Sequence, residues 1–429
     1  MKTNYGYLSA LVCCLAASGC EVTPEKIQTW KTTQKGEAKI RAAVRDEGQT
    51  LDVRILGAEA LCELKLFEPL AEDLKAIKAE QRGKLVAGLT KRLQARMQGS
   101  NPAATTGIQV QAKDSLFELR NLSESVPAEI RTSIDDSVAR WMTQDWAKRA
   151  SGEHSGEKII RTLGKAAAPH LIDGIGGGIS PVLASMLLRE LGSQADRDRG
   201  AEKLLTLAAS EKPSKEETFT ALGKIGSLKA VDYFLKVAQK GAFQERLWAV
   251  RAIGLFPHAR AIPTAVAIAR DATLTDDRAL LRDAAFTLLE KTNDDKSLVA
   301  LLSFLGDKNK LVHYRASEAV LVGFGARGLT MLLEQLPSRY TYEKQDLVDF
   351  VEKDILKLGQ KALPALRNAL TSKNWIARLI GARMLGQLGT KQDMGALEKL
   401  AGDQTRLNGW EGGATVGSEA AAAAKKLKK

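Results

Sequence analysis

The side chains best suited to metal or acid–base chemistry are the four histidines, and their spacing predicts no shared site. His154, His170, His258 and His313 lie far apart, and none belongs to a pair one helical turn apart. Zinc sites need three or four ligands at short spacings, which the few cysteines of this chain do not supply either. We therefore predict no metal centre and no cofactor.

Three pairs of adjacent carboxylates, at residues 135–136, 276–277 and 294–295, are the next candidates for catalysis. Neighbouring side chains on a helix point in different directions, so these pairs do not converge on one substrate atom. Their positions in loops and at helix starts are typical of residues that cap helices. The chain also lacks the Gly-x-Ser-x-Gly nucleophile elbow. We predict that the protein is not an enzyme and has no small-molecule substrate.

A glycine-rich segment at residues 174–181, Gly-Ile-Gly-Gly-Gly-Ile-Ser-Pro, is similar in composition to a phosphate-binding loop. It lacks the Gly-Lys-Ser/Thr ending of such loops, and it follows a predicted helix where they follow a strand. The segment therefore predicts a turn between two helices.

One cysteine stands where a covalent modification is expected. Residues 7–17 form an apolar stretch as long as a secretory signal core and too short to span a membrane permanently. The stretch leads into Leu-Ala-Ala-Ser-Gly-Cys20 and resembles the lipobox of bacterial lipoproteins, although Ala17 stands where leucine is usual. The resemblance implies a signal peptide over residues 1–19 and a lipid-modified Cys20. A cleaved signal that releases a soluble protein, and a cytosolic protein, stay open as alternatives.

The same resemblance implies a place in the cell. A lipid on Cys20 would anchor the protein in a membrane of the bacterial cell envelope, facing the periplasm or the exterior. Glu21 favours the outer membrane where two membranes exist. Removal of residues 1–19 takes one lysine and no acid, so the net charge falls from +12 to +11 and favours acidic partners. Cys62 would then be the one unmodified cysteine, and its apolar neighbours predict a buried, inert thiol.

The sequence as a whole shows a repeating pattern that is typical of helices. Apolar stretches end in Leu-Gly or a close equivalent, and a new stretch starts about 30 residues later. A fixed period of this length marks stacked helical units that add to one another along the chain. The closing glycines are Gly164, Gly192, Gly226, Gly254, Gly325, Gly359 and Gly389.

The unit also carries an arginine at a fixed place. Arg246, Arg315 and Arg378 each stand seven residues before an aliphatic residue and eight before a glycine. Arg54 and Arg282 keep the aliphatic residue without the glycine. The period and the glycine together distinguish this spacing from a chance match.

The turn inside the pattern has its own signature. Gly164 precedes Pro169, and Gly359 precedes Pro364, with small or apolar residues between them. Glycine relieves the left-handed residue past a helix end, and proline fits the first turn of the next helix. Each unit is therefore predicted to be a helix, a tight turn and a second helix.

Units of this kind resemble the HEAT-repeat family, including its variant first described in phycobilisome lyases. The resemblance is strong from residue 159 onward, weaker over residues 27–66, and without a clear register over residues 68–150. It implies an all-α fold, an α-solenoid of stacked helical hairpins. The predicted divisions are degenerate units over residues 20–150 and a repeat array over residues 151–429 that ends in a capping helix.

The resemblance assigns two roles to the arginines. In HEAT-like units an acid in the turn commonly pairs with an arginine that starts the second helix. Asp46 and Asp307 each lie eight residues before an arginine, which predicts a structural ladder of Asp46 with Arg54 and Asp307 with Arg315. The alternative is a basic stripe that binds an anionic partner. Its candidate residues are Arg246, Arg282 and Arg378, together with Trp410 in a glycine-rich loop.

The predicted function is that of a lipid-anchored, non-catalytic scaffold that binds an unidentified protein through the concave face of the array. The alternative is a basic HEAT-repeat protein that binds nucleic acid, similar to some DNA glycosylases, which the net charge favours. The apolar N-terminal segment disfavours it, because exported proteins rarely meet DNA. A chromophore lyase is a third reading, and it depends on the resemblance alone.

Overall fold

The computed structural model of the chain describes residues 22–99, 107–148, 156–209, 214–336, 345–407 and 413–428. Those segments are helical and contain no strand, only the two isolated bridges Ile175–Ile179 and Arg406–Thr415. The all-α prediction is therefore confirmed. The helices are α1 Pro24–Trp30, α2 Gly36–Arg45, α3 Leu51–Glu63, α4 Phe67–Ala76, α5 Ala79–Gln98, α6 Gly107–Asn121, α7 Ala128–Lys148, α8 Glu157–Leu163, α9 Ala168–Gly174, α10 Pro181–Leu191, α11 Gln194–Leu207, α12 Lys215–Ile225, α13 Leu228–Lys240, α14 Phe243–Ile253, α15 Ile262–Ala269, α16 Ala279–Thr292, α17 Asp295–Leu302, α18 Lys310–Gln335, α19 Gln345–Leu358, α20 Leu363–Ala369, α21 Trp375–Leu388, α22 Met394–Leu400 and α23 Val416–Lys428.

The chain divides into two compact units, residues 1–196 and residues 197–429. The boundary that the sequence predicts, at residue 150, falls inside the first unit. The predicted signal peptide over residues 1–19, together with Cys20, lies outside the described residues.

The helices of the second unit alternate between two layers. Each first-layer helix packs on the second-layer helix that follows it: α13 on α14, α15 on α16, α17 on α18, α20 on α21 and α22 on α23. The second-layer helices also pack side by side, in the order α12, α14, α16, α18, α19, α21 and α23. Each hairpin therefore covers the apolar side of its neighbours. This is the stacked-hairpin arrangement of an α-solenoid, as predicted.

Three glycines make the same turn between helices. Gly164, Gly325 and Gly359 have φ values of 60°, 55° and 56°, which only glycine adopts without strain. Two of these turns run into short 3-10 segments before the proline-containing helices α9 and α20. The third interrupts α18, so that residues 310–324 and 326–335 are two helices in sequence. Helix α18 is long and apolar enough to cross a membrane, but this break and its burial are those of a core helix.

Two of the three glycines that follow a repeat arginine allow close packing between helices, whereas the third, Gly254, stands directly after the end of α14. Gly323 and Gly386 lie inside helices, not past their ends. A Cβ atom on Gly323 would lie 2.7 Å from the carbonyl oxygen of Glu290 on α16, and one on Gly386 would lie 2.7 Å from Cβ of Ala423 on α23. These glycines are needed because adjacent second-layer helices approach each other almost backbone to backbone.

The first unit uses longer helices. Helices α5 and α7 have 20 and 21 residues, which explains why a period of about 30 residues is lost between residues 68 and 150. Helix α3 packs on α5, and α5 packs on α7, so side-by-side packing continues. Cys62 lies in this core, 1% exposed, and burial raises the pKa of its thiol to about 12. The predicted burial of this thiol is confirmed.

Candidate functional site

The repeat arginines bind the main chain of their own hairpin. The arginine is the fourth residue of the second helix in four units, and its guanidinium reaches the last turn of the first helix or the loop that follows it. The bonds run from Arg54 Nε to Val44 O (3.0 Å), Arg246 Nε to Ala238 O (2.9 Å), Arg282 to Asp271 O (2.7 Å) and Arg378 to Ser372 O (2.8 Å).

These hydrogen bonds supply partners to main-chain carbonyl oxygens that have none within the first helix. The last carbonyl oxygens of a helix have no partner within it, and they carry the negative end of its dipole. A buried arginine at that point supplies hydrogen bonds and a compensating charge at once. Arg54 and Arg282 are buried, at 2% and 8% exposed. Arg54 and Arg246 thus cap the first helix of their hairpins, whereas Arg282 and Arg378 hold the loop that follows it.

The predicted ion pairs of Asp46 with Arg54 and of Asp307 with Arg315 do not form among the described residues. Asp46 accepts hydrogen bonds from the Gly48 amide and the Gln49 side chain, and these hold the pKa of its carboxyl below the usual value. Asp307 likewise accepts from the amide of Asn309, at 2.8 Å. In both places the carboxylate closes the turn of its own short loop and makes no ion pair with its arginine, although the charge of Arg54 also helps to lower the pKa of Asp46.

Arg315 departs from the other arginines. Its guanidinium pairs with Glu290 of α16, at 3.3 Å, and with Glu318 one turn further along α18, at 3.1 Å. It also donates to the hydroxyl of Thr287, at 2.9 Å. A ladder between neighbouring hairpins therefore exists at this position, with Glu290 where the sequence predicts Asp307.

Arg246, Arg282 and Arg378, predicted to bind a partner, all have the main-chain bond described above. Arg378 in addition holds Asp403 and Thr405 of the next hairpin, at 2.8 and 3.1 Å. Partner binding by these arginines stays a prediction. Trp410, the fourth residue of that set, lies outside the described residues.

Replacing Arg378 with methionine should lower the free energy of unfolding by about 2 kcal/mol, because hydrogen bonds to two carbonyls and a half-buried carboxylate are lost. The matched control is Arg251→Met, at an exposed arginine of α14, which should change it by less than about 0.5 kcal/mol. Thermal unfolding followed by circular dichroism measures both. Equal shifts would show that the bonds of Arg378 contribute nothing particular.

The histidines and acids have structural partners in the part of the chain that is described. His170 Nε2 lies 2.8 Å from Asp136 Oδ1, and the His258 ring accepts from the amide of Arg260. Asp294 makes a capping box with Ser297 at the start of α17, as the sequence predicts for such acids. Among the described residues no cluster of three or more possible metal ligands occurs; His154 lies outside them.

The glycine-rich segment at residues 174–181 is a turn between helices, as predicted. Helix α9 ends at Gly174, and α10 begins at Pro181. Gly176 and Gly178, at φ values of 80° and 110°, reverse the chain between them.

A groove with an apolar lining crosses three second-layer helices of the second unit, α16, α18 and α19. Its cavity has a volume of about 480 Å³, which is within the range of pockets that bind ligands. Its apolar lining is Phe286, Leu311, Tyr314 and Phe350, and the rings of Tyr314 and Phe350 stack at 4.3 Å. We call this feature the α18 groove. Its charged lining is Arg282, Asp283, Arg315, Glu318, Lys353, Asp354 and Lys357.

Exposed apolar side chains concentrate on the same helices. Eleven large apolar side chains are exposed in the described segments, and five of them belong to α16, α18 and α19. Leu311, at 72% exposed, is the most exposed of all. Two of the five, Leu311 and Phe350, lie together in the α18 groove, and exposed apolar side chains that adjoin one another often mark a binding surface. The five are Leu280, Leu311, Val322, Phe350 and Leu356.

Sequence reasoning missed the α18 groove. The stretch from Lys310 to Arg315 is apolar on more than one helix face, since exposed Leu311 directly precedes buried Val312. A helical stretch that is apolar on more than one face indicates in the sequence that more than one of its faces is to be buried against another surface. The repeat period of the sequence does not show which face of a helix is left without a packing neighbour.

No protein-family model matches the chain, and no curated protein matches it significantly. Solved structures do match, at low identity. Human deoxyhypusine hydroxylase in complex with glycerol is 14% identical over 70% of this chain and 99% of its own, with a TM-score of 0.25. Kap121p bound to Pho4p is 11% identical over 99% of this chain, with a TM-score of 0.29. This chain spans about half of Kap121p, 51% of its length.

A third match is the Pds5–Scc1 complex, 10% identical over 93% of this chain and 71% of that chain, with a TM-score of 0.35. These TM-scores are low, so the likeness carries no conclusion about what this chain binds. The fold assignment depends on the stacked hairpins described above.

Proposed function

We propose that the protein is a non-catalytic scaffold that holds another protein on its second-layer helices, anchored to the bacterial cell envelope by a lipid on Cys20. The observation that carries the proposal is the apolar lining of the α18 groove, in which Leu311 and Phe350 are exposed to solvent. Each Å² of apolar surface removed from water contributes about 25 cal/mol, so a partner that covers these side chains gains affinity. A rigid helical array presents them without ordering a loop.

The repeat arginines also bear on the choice of partner. A basic stripe for nucleic acid needs guanidinium groups free to reach phosphates. Arg54, Arg246, Arg282 and Arg378 use theirs on main-chain carbonyls inside the hairpins. The apolar groove therefore supports a protein partner better than the net charge supports nucleic acid.

Photo-crosslinking in intact envelopes tests the scaffold. A photoreactive amino acid at position 311 should give a discrete crosslinked protein, because that position is exposed beside the groove. The matched control is position 299 on first-layer helix α17, where Val299 is 59% exposed. Crosslinks of equal yield at both positions, or to nucleic acid, would contradict the proposal.

The anchor has its own test. Cys20→Ser should abolish the incorporation of labelled palmitate, because Cys20 is the cysteine that the proposed lipid modifies. Cys62→Ser is the matched control, since that thiol is buried. Palmitate retained in the Cys20→Ser protein would contradict the lipid anchor.

A further inference from the structure

We infer that the α18 groove binds an extended segment of the partner protein in which one large apolar side chain lies between an acidic and a basic residue. The inference rests on the proposed function, because it names the chemistry of the partner at the same surface.

The floor of the groove fits an apolar anchor. Phe286 is fully buried beneath it, and the stacked rings of Tyr314 and Phe350 form one wall. Leu311 stands beside them, largely exposed. Ring stacking fixes these side chains before any partner arrives, so little conformational entropy is lost on binding. A leucine, methionine or phenylalanine side chain of the partner would be buried in the groove, and it would shield Leu311 from water at the same time.

Most charges in the groove already have partners within the protein. Arg282 donates to Asp271 O, Arg315 pairs with Glu290 and Glu318, and Lys357 pairs with Asp354 at 2.7 Å. The ion pairs of Arg315 and Lys357 contribute little net positive charge toward an incoming segment, and the guanidinium of Arg282 is buried.

Two exposed charges in the groove form no ion pair among the described residues, and they lie on opposite walls. Asp283 belongs to α16, and Lys353 belongs to α19, where its Nζ lies 5.6 Å from the centre of the Phe350 ring. Helix α18 packs between those two helices. The groove therefore presents a negative charge on one side of its apolar floor and a positive charge on the other.

The spacing of the walls sets the spacing in the partner. Neighbouring helix axes lie about 8–10 Å apart, so α16 and α19 are separated by roughly 16–20 Å across α18. An extended chain covers about 3.3 Å per residue, so roughly five or six residues span that distance. The matching segment has its basic residue toward Asp283, its acidic residue toward Lys353 and its apolar residue midway.

Fluorescence anisotropy with labelled peptides of about nine residues tests the inference on the full chain. The mixed peptide carries glutamate and lysine about six residues apart around a central phenylalanine. Comparison peptides carry two glutamates, two lysines, or the mixed charges around alanine. The mixed phenylalanine peptide should bind tightest, and the alanine peptide at least roughly tenfold more weakly. Equal binding of all four would overturn the inference.

Variants of the protein locate the site. Leu311→Asp should weaken the mixed peptide roughly tenfold, whereas Val299→Asp, at another exposed apolar position but in the other layer, should not. Lys353→Glu makes both walls acidic and should transfer the preference to the two-lysine peptide. Asp283→Lys makes both walls basic and should transfer it to the two-glutamate peptide. An order of affinities that neither charge reversal changes would overturn the inference.

The remaining outcomes separate this inference from the proposed function. Sedimentation that shows a dimer, lost in Leu311→Asp, would assign the groove to a second copy of the chain and overturn the inference. Peptides that fail to bind while position 311 still crosslinks a protein in envelopes would reject the segment and keep the scaffold. Binding of the mixed peptide without any crosslink in envelopes would support the segment and reject the proposed function.

Discussion

Gly323→Ala is expected to destabilise the second unit by about 3 kcal/mol, although it adds a single methyl group. That methyl group would lie 2.7 Å from the carbonyl oxygen of Glu290 and 3.2 Å from its Cα atom. Both atoms belong to the backbone of α16, so no side chain can move aside. Helices α16 and α18 must separate, and the α18 groove that they form should lose affinity as well.

The same substitution at Gly395 is the control. Gly395 lies inside α22 with nothing within 4 Å of an added Cβ, and alanine there should stabilise the helix by roughly 0.5–1 kcal/mol. Thermal unfolding gives the direction of each shift, and hydrogen exchange shows whether α16 and α18 open first. Shifts in the same direction for both variants would disprove the backbone contact.

Glu352 should make stability fall as the pH rises from about 4.5 to about 7. Burial raises the pKa of its carboxyl from 4.5 to about 7; Arg383, at 2.8 Å, opposes the rise, while Asp349 and Glu419 add to it. Over that window the folded protein keeps a proton that the unfolded chain has lost, so stability decreases with pH. The full effect is about 3 kcal/mol, since one pKa unit corresponds to about 1.4 kcal/mol.

Urea unfolding of the wild type and of Glu352→Gln at several pH values measures this effect. The variant cannot titrate at this position, so its stability relative to the wild type should rise as the pH increases from about 4.5 to about 7. Glu216→Gln, at an exposed position of α12, should retain the wild-type dependence on pH. A Glu352→Gln profile parallel to the wild type would contradict the prediction.

The helical fold and its period were predictable because both depend on local rules. Glycine with a positive φ, proline in a first turn and apolar periodicity act within one hairpin, so Gly164 and Gly359 stand where the sequence predicts. The register failed over residues 68–150, since the longer helices α5 and α7 break the period without breaking the packing.

The contacts of the arginines and the α18 groove were not predictable in the same way. Spacing placed Arg54 near the turn, but it could not choose between the carboxylate of Asp46 and the carbonyl of Val44 as its partner. The choice depends on which way a short loop turns its acid. The exposure of Leu311 depends on neighbours distant in sequence, which a single chain without aligned relatives does not reveal.

The arginine cap has a consequence for how such a chain lengthens. Because donor and carbonyl belong to one hairpin, a tandem duplication of that stretch of the gene copies both together, and the new unit arrives with its helix end already satisfied. Pairs that join consecutive hairpins, such as Arg378 with Asp403, must instead be matched afresh at every new junction. When the array lengthens by duplication of whole hairpins, the residues that must change afterwards are therefore those that pair one hairpin with the next.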